Sequence, residues 1–163
     1  MQELLIDLKN YKENGSVYQR TAVRGIIERD GKYLVIHSKY GDYKFPGGGS
    51  KEEESHIETL AREVAEETGY RLLSDSPKAA FHVKELRKGD PEDKMDMDSY
   101  YYYCQVEEMP GQRNLDDYEQ EYDYQVVWLG LEELIEKNER VKDLHDIPWV
   151  VRELQVMRKV LCL

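Results

Sequence analysis

The alternation of apolar and polar residues predicts β-strands in several parts of the chain. Residues 19–38 hold two such stretches, TAVRGIIE and KYLVIHS, on either side of the turn sequence RDG, and this arrangement predicts a hairpin. Residues 1–18 indicate only a short strand or helix at the edge of the domain, followed by a turn at KENGS. Three further strands are predicted at residues 79–86, 99–106 and 124–129.

A spacing of three to four residues between apolar positions predicts a helix after the first two strands. Ser50, with Glu53 three positions later, matches a capping box, so we expect this helix to begin near Lys51. Gly69 is placed to end it, because glycine readily adopts the left-handed conformation found after helices. The positions expected to face the core are Ile57, Leu60, Ala61, Val64 and Thr68.

The remaining segments alternate between helices and charged loops. Residues 131–138 and 146–161 have helical apolar spacing, and Pro148 is tolerated in the first turn of the second helix. Residues 87–98 and 107–123 are rich in charged side chains and predict loops. This order of strands and helices predicts a layered α/β or α+β fold.

Length and charge narrow the class of protein. The 163 residues fit one domain, with an expected core at residues 19–163 and an edge extension at residues 1–18. The net charge of −11 repels nucleic-acid backbones and anionic membranes, so we expect no polymeric nucleic acid and no membrane as partner. No apolar run approaches the ~20 residues of a membrane span, which favours a cytoplasmic protein. Cys104 and Cys162 have neither metal-binding nor disulfide spacing.

Residues 45–70 concentrate the candidate chemistry. The sequence PGGG at positions 46–49 predicts a sharp bend and a close backbone approach. At about 100° per residue, Glu63, Glu66 and Glu67 share one side of the predicted helix, where each like-charged pair costs roughly 0.2–0.5 kcal/mol. A divalent cation such as Mg²⁺ or Mn²⁺ would remove this repulsion. From the carboxylates alone, a solvated acidic face remains an equal alternative.

The spacing within this segment adds a resemblance. Residues 48–70 read GX5EX7REVXEEXGY, which resembles the signature box of the Nudix hydrolases, except that Tyr70 stands where the family usually has an aliphatic residue. The resemblance implies an α/β/α sandwich with a mixed central sheet, in which the box forms a loop, a helix and a loop. It also implies a pyrophosphohydrolase that uses Mg²⁺, or Mn²⁺ as a substitute, to cleave a nucleoside diphosphate linked to another group.

The resemblance implies a role for each matched residue of the box. Glu66 and Glu67 would be the core metal ligands, and Glu63 would be a further ligand or would position the attacking water. The carbonyl of Gly48 would complete the metal site. Arg62 would pair with carboxylates of the box and orient them, as groups behind metal ligands commonly do.

Outside the box, several residues are candidates for the site. Nudix proteins often carry an acidic residue in the loop before a strand that ends in Trp, and Glu121 is the first candidate for this metal ligand or general base, with Glu119 second. In the run of tyrosines at 100–103, alternate residues face opposite sides, and one pair could stack on a base or simply pack. For Arg24 and Lys39, a solvated charge is the favoured alternative to contact with a substrate phosphate, which the resemblance supports. The residues expected to contact the substrate are Arg24, Lys39, Lys44, Phe45 and Gly47.

The resemblance leaves the substrate open within small nucleotides. Pro77 lies too close to the box to match the proline of many ADP-ribose hydrolases, and the motif of the NADH-cleaving members is absent. The chain therefore looks most like the hydrolases of nucleoside triphosphates and their oxidised forms, as a monomer or homodimer. Two alternatives are an ADP-ribose or dinucleotide hydrolase and a sensor that binds a nucleotide without cleaving it. The retention of all three box glutamates favours an enzyme over a sensor.

Overall fold

A computed structural model describes all residues from Met1 to Leu163 and contains nine strands and four helices. The helices are α1 (His56–Thr68), α2 (Asp117–Glu121), α3 (Leu131–Val141) and α4 (Trp149–Leu161). The strands are β1 (Gln2–Asp7), β2 (Val17–Ile26), β3 (Glu28–Arg29), β4 (Lys32–His37), β5 (Tyr43–Lys44), β6 (Gly47–Gly49), β7 (Lys78–Lys88), β8 (Lys94–Tyr103) and β9 (Gln125–Leu129).

The strands form two sheets that share the core with the helices. The larger sheet has the order β1-β7-β8-β2-β6 and is mixed, because β1 pairs with β7 and β2 pairs with β8 in parallel. In the smaller sheet, β4 pairs antiparallel with β3, β5 and β9. Helix α1 packs on β2 and β6, whereas α3 and α4 pack together over β5, and α4 also contacts β7. The mixed sheet between helices confirms the predicted fold class.

The predicted hairpin is correct at its turn and wrong in its partner. Asp30 and Gly31 adopt left-handed backbone conformations and connect β3 to β4. However, β2 belongs to the other sheet, where it lies between β8 and β6. The reason is burial: residues 22–26 are buried on both faces, which is typical of an inner strand of a sheet covered by helices and not of an exposed two-stranded hairpin.

Helix α1 begins five residues later than the sequence predicts. Ser55 is its N-cap, and Glu58 completes the capping box with a bond from its backbone N to Ser55 Oγ at 3.1 Å. The sequence SKEEESHIE contains the Ser-x-x-Glu pattern twice, and the first copy is not used because Ser50 N donates to Thr21 O at 2.9 Å, next to the sheet. Ile57, in the first turn, is consequently exposed. The predicted end at Gly69 is confirmed by its left-handed conformation.

The predicted loop at residues 87–98 is mostly strand. Strand β7 continues to Lys88 and β8 starts at Lys94, so only five residues connect them. Charged residues fit this ribbon because they alternate with apolar ones: Asp96 lies on the outer face, 2.6 Å from Lys84 Nζ, while Met97 is buried on the other face. The predicted acidic loop at residues 107–123 likewise contains the short helix α2.

The other predicted elements are present with small shifts at their ends. Strands β7, β8 and β9 and helices α3 and α4 occupy the predicted regions, and Pro148 is the N-cap of α4 instead of lying in its first turn. The tyrosines alternate as expected: Tyr101 is fully buried in the main core, whereas Tyr100 stacks on His82. Both cysteines are free. None of the helices has the length and apolar character required to cross a membrane.

Candidate active site

The glycine turn before α1 is a close approach of two backbones. Strand β6 pairs with β2, so that Gly47 lies opposite Arg24 and Gly48 opposite Val23. A Cβ atom at Gly47 would collide with the carbonyl oxygen of Val23, and one at Gly48 would lie 2.6 Å from the carboxylate of Glu63. Glycine is therefore required here, because any side chain would displace the strand or the carboxylate.

Arg62 holds together the acidic residues at the start of the site. Its guanidinium donates to both carboxylate oxygens of Glu54, at 2.6 and 2.8 Å, and to Glu63 Oε1 at 2.8 Å. Longer bonds reach Glu66 Oε2 at 3.3 Å and the carbonyl of Gly49 at 3.0 Å. The hydrogen bonds from Arg62 lower the pKa of Glu54 to about 2. The pairing expected for Arg62 is thus present.

Three carboxylates, from Glu63, Glu67 and Glu119, converge beside the glycine turn and form the carboxylate cluster. Each offers an oxygen within 4.8 Å of the other two. Glu67 is 1% exposed, and its Oε1 accepts a hydrogen bond from Gly47 N at 2.7 Å. Burial raises the pKa of Glu67 to about 8, against the opposing effect of Lys44, and burial also raises the pKa of Glu63. The cluster therefore has an unusually high affinity for positive charge.

The membership of this cluster differs from the set expected from sequence. Glu66 is drawn to Arg62, and its side chain remains 27% exposed outside the cluster. The preferred loop candidate, Glu121, is exposed on α2, whereas the second candidate, Glu119, is buried and joins the cluster. Glu119 is held in this position because its Oε1 accepts from Asp116 N at 2.8 Å. Two residues further along a helix, a side chain points about 200° away, which explains the exposure of Glu121.

The segment that delivers Glu119 is docked onto the end of α1 through its backbone. Asn114 N donates to Glu66 O at 2.7 Å, and Gly111 N donates to Gly69 O at 2.6 Å. These carbonyls belong to the last turn of α1 and its cap, which have no partner within the helix. The docking segment, residues 109–115, thus fixes α2 beside the helix that carries Glu63 and Glu67.

A cavity of about 1060 Å³ opens next to the carboxylate cluster. Its position is fixed by Gly47 and Lys44, which line it, and by Tyr118, which lines it and approaches Glu119 with its hydroxyl at 3.4 Å. The aromatic residues on its wall include Tyr118, Tyr122, Tyr124 and Trp149. The cationic residues on its wall are Lys12, Arg20, Arg24, Lys44, Arg87, Lys88 and Arg152. The wall also carries four acidic residues, Asp90, Glu92, Asp93 and Asp146, so cationic side chains outnumber acidic ones although the whole chain is acidic.

The cavity contains three of the five expected substrate-contacting residues. Arg24, Lys44 and Gly47 line it, and Lys44 Nζ donates to the hydroxyl of Tyr124. Phe45 does not, because it is fully buried in the main core. Lys39 also lies outside the lining, with its Nζ 5.1 Å from the centre of the Tyr122 ring. The expectation for Phe45 and Lys39 is therefore not supported by the geometry.

The comparisons with known proteins agree with this fold. The model of the NUDIX domain matches residues 18–150, and no curated protein gives a significant match. The structure is similar to the NUDIX hydrolase from Nitrosomonas europaea, with 21% identity, a TM-score of 0.56 and coverage of 85% of this chain and 87% of that one. It is also similar to the MutT NUDIX hydrolase from Burkholderia pseudomallei, with 22% identity, a TM-score of 0.55 and coverage of 71% and 85%, respectively.

The NUDIX match covers most of the chain and contains the whole box, the carboxylate cluster and the helices α1 and α2 that carry it. The chain therefore belongs to the NUDIX family, and its class is that of the Nudix pyrophosphohydrolases.

Proposed function

We propose that the protein hydrolyses the diphosphate linkage of a small nucleotide, with a nucleoside triphosphate or its oxidised form as the first candidate. The observation that carries this proposal is the position of the carboxylate cluster directly behind two residues of the cavity wall, Gly47 and Tyr118, in a cavity lined by cationic and aromatic side chains. Cationic groups suit the phosphates, and aromatic rings suit a base, since each stacked base contributes roughly 1–3 kcal/mol. The same features support a small molecule, and not a polymer, as partner.

The donor set of the cluster fits a hard divalent cation, which Nudix hydrolases generally use. Three carboxylates with oxygens within 4.8 Å match the oxygen ligands that Mg²⁺ prefers, and Mn²⁺ accepts the same donors. When bound, Mg²⁺ would polarise a phosphoryl oxygen and lower the pKa of a water molecule. We assign its binding to Glu63, Glu67 and Glu119, with the Gly48 carbonyl and Glu66 as further candidates, and the orienting of these carboxylates to Arg62.

The residues of the chain then have separate tasks in hydrolysis. Arg24 and Lys44, which line the cavity beside Gly47, would hold the phosphates in line with the cluster. A water oxygen forms a bond to one phosphorus, and the bond from that phosphorus to the bridging oxygen breaks. The electron pair leaves with the bridging oxygen. A carboxylate of the cluster that still carries its negative charge accepts the proton of the water. No covalent intermediate is required.

The test is product release from a panel of nucleotides with Mg²⁺. The panel contains canonical and 8-oxo nucleoside triphosphates, ADP-ribose, diadenosine polyphosphates and nucleotide sugars. Efficient cleavage of one class of nucleotide would support the hydrolase and identify its substrate. If ADP-ribose is cleaved best, it would replace the nucleoside triphosphate as the first candidate substrate. Binding of a nucleotide without any cleavage would instead support a sensor.

Glu119 and Glu121 provide a matched pair for testing the third carboxylate. Glu119→Gln should lower kcat/KM at least ~10-fold, because it removes a charge from the cluster while keeping an acceptor for Asp116 N. Glu121→Gln, the same change two residues later on an exposed position, should stay within about twofold of the parent. Steady-state kinetics at saturating Mg²⁺ measure both. A larger loss of kcat/KM in Glu121→Gln than in Glu119→Gln would instead favour Glu121, the first candidate from sequence, as the third carboxylate.

Arg62 is expected to act as a positioning residue. Arg62→Gln should raise the half-saturating Mg²⁺ concentration roughly 10–100-fold, because Glu63 and Glu54 lose the guanidinium that orients them. Titration of activity with Mg²⁺ separates this effect from a loss of kcat. Arg71→Gln, at an exposed arginine without ion pairs, is the control. An unchanged Mg²⁺ dependence in Arg62→Gln would contradict the assigned role.

We further propose that residues 1–163 form one domain, as expected from the length of the chain. Strand β1 is the edge of the larger sheet, and α4 contributes Val156, Met157 and Val160 to the main core. Both ends of the chain are thus part of the same packed unit that carries the site.

A further inference from the structure

The cationic wall of the cavity extends well beyond the carboxylate cluster. Arg20 and Arg24 lie four residues apart on the same face of β2, so their Cα atoms are about 13 Å apart. Arg87 lies on the same face two strands away, since Arg87 pairs with Met95 and Arg20 with Met97 across β8. A diphosphate, whose two phosphorus atoms share one bridging oxygen, is much shorter than this arrangement. The wall is therefore larger than the cleaved group requires.

Arg20 and Arg87, which we call the arginine pair, have free donors. The side chain of Arg20 forms no hydrogen bond and no ion pair within the chain, and the guanidinium of Arg87 uses only its Nε, which donates to Glu85 Oε1 at 2.9 Å. Arg24, between this pair and the glycine turn, is 5% exposed, and its buried Nε has no partner. An unsatisfied buried donor destabilises the free protein, and an oxygen of a ligand would satisfy it.

The charges around the pair also favour an anion. Seven cationic side chains line the cavity against four acidic ones, Asp90, Glu92, Asp93 and Asp146, and the buried carboxylates of Glu85 and Glu153 lie beneath Arg152. Burial lowers the pKa of Arg87, and the positive charges of Arg152 and, to a smaller extent, Arg20 lower it further against the effect of Glu85. Two guanidinium groups held near each other repel in the free protein, and a phosphate between them would remove the repulsion while accepting bidentate hydrogen bonds.

We propose that the arginine pair binds a phosphate group of the substrate that is separate from the diphosphate being hydrolysed. This inference rests on the proposed hydrolysis of a diphosphate linkage, and within it favours a nucleotide with an additional phosphate over a plain nucleoside triphosphate. The substrate is a diphosphate compound whose organic part carries at least one further phosphate. Arg24, next to Gly47, then contacts the diphosphate, while Met95 and Met97 form the apolar floor between Arg20 and Arg87.

The first experiment isolates the arginine pair from the metal site. Calorimetric titration with inorganic tripolyphosphate, in EDTA, should show binding to the wild-type protein. Arg20→Gln and Arg87→Gln should each weaken it about tenfold, and Arg71→Gln, at an exposed arginine outside the cavity, should leave it unchanged. Because Arg20 has no partner within the chain, Arg20→Gln should fold normally even where Arg87→Gln does not. Absent binding, or equal affinity in Arg20→Gln and wild type, overturns the proposal.

The second experiment compares substrates that differ by one phosphate. The pairs are coenzyme A with 3′-dephospho-coenzyme A, and ADP-ribose 2′-phosphate with ADP-ribose. The phosphorylated member of at least one pair should have a kcat/KM about tenfold higher, and Arg20→Gln should bring this ratio near one. Equal cleavage of both members in wild type overturns the inference and leaves the hydrolase intact. Tripolyphosphate binding through Arg20 without cleavage of any nucleotide would overturn the proposed hydrolysis and support the anion site.

Discussion

Glu67→Gln is expected to lower kcat at least ~100-fold with the preferred substrate and saturating Mg²⁺. The change keeps the shape of the side chain and an acceptor for Gly47 N, but it removes one charge from the carboxylate cluster. Loss of one preorganised charged group in a catalytic site commonly costs this much. Steady-state kinetics measure the loss, and the increase in melting temperature produced by Mg²⁺ should become smaller. A variant that retains more than about a tenth of the activity would exclude Glu67 from the site.

The same variant has a second expected effect, on the metal-free protein. The pKa of Glu67 is raised to about 8 in the folded state, above the ~4.3 of a free glutamate. Between these values the folded protein binds more protons than the unfolded chain, so the free energy of unfolding falls as pH rises. In EDTA, wild type should lose stability between about pH 4.5 and pH 8, and Glu67→Gln should lose less. Chemical denaturation at several pH values compares the two slopes.

Arg152→Met is expected to lower the free energy of unfolding by about 3–5 kcal/mol, which is the usual cost of leaving a buried charge without its partner. Arg152 is 2% exposed and donates to Glu85 Oε2 at 2.9 Å, to Glu153 Oε1 at 3.2 Å and to the hydroxyl of Tyr101 at 3.0 Å. Methionine fills a similar volume but leaves both buried carboxylates without this cation. Urea denaturation at pH 7 measures the difference.

The control for Arg152→Met is Arg140→Met, on the exposed surface of α3. Arg140 pairs only with Glu136, one turn away, so its replacement should cost no more than about 0.5 kcal/mol.

The effect of Arg152→Met should also depend on pH. Burial raises the pKa of Glu85, but the positive charges of Arg152 and Arg87 outweigh this effect and leave the pKa below its ordinary value. The stability that this carboxylate contributes is lost as pH falls through the lowered pKa. The difference in free energy of unfolding between wild type and Arg152→Met should therefore shrink below about pH 4. A difference under about 1 kcal/mol at pH 7 would contradict the prediction.

The parts of the site that were predictable lie within one continuous segment. The box sets Glu63, Glu67 and Arg62 on one helix, where the spacing along the chain fixes the spacing in space. The start of that helix was not predictable, because Ser50 and Ser55 each begin a capping-box pattern. Ser50 is excluded as the N-cap only by the pairing of residues 47–49 with β2.

The parts that were missed depend on contacts between distant segments. Glu119 and Glu121 are equally acidic in the sequence, and only the packing of α2 on α1 determines which is buried. Phe45 lies next to the glycine turn, yet its side chain packs against Tyr101 in the core. Arg87 seemed to belong to a charged loop, and its alignment with Arg20 arises from the register of three strands. These contacts join segments that are distant in the chain, so no local pattern in the sequence indicates them.

The docking of residues 109–115 on the end of α1 affects how freely this protein can diverge. The two bonds join backbone amides of Gly111 and Asn114 to backbone carbonyls, so they do not depend on most side chains of the segment. Substitutions at its exposed positions can accumulate without moving Glu119 out of place. The sequence of this segment can then change while the carboxylate of Glu119 stays beside those of Glu63 and Glu67.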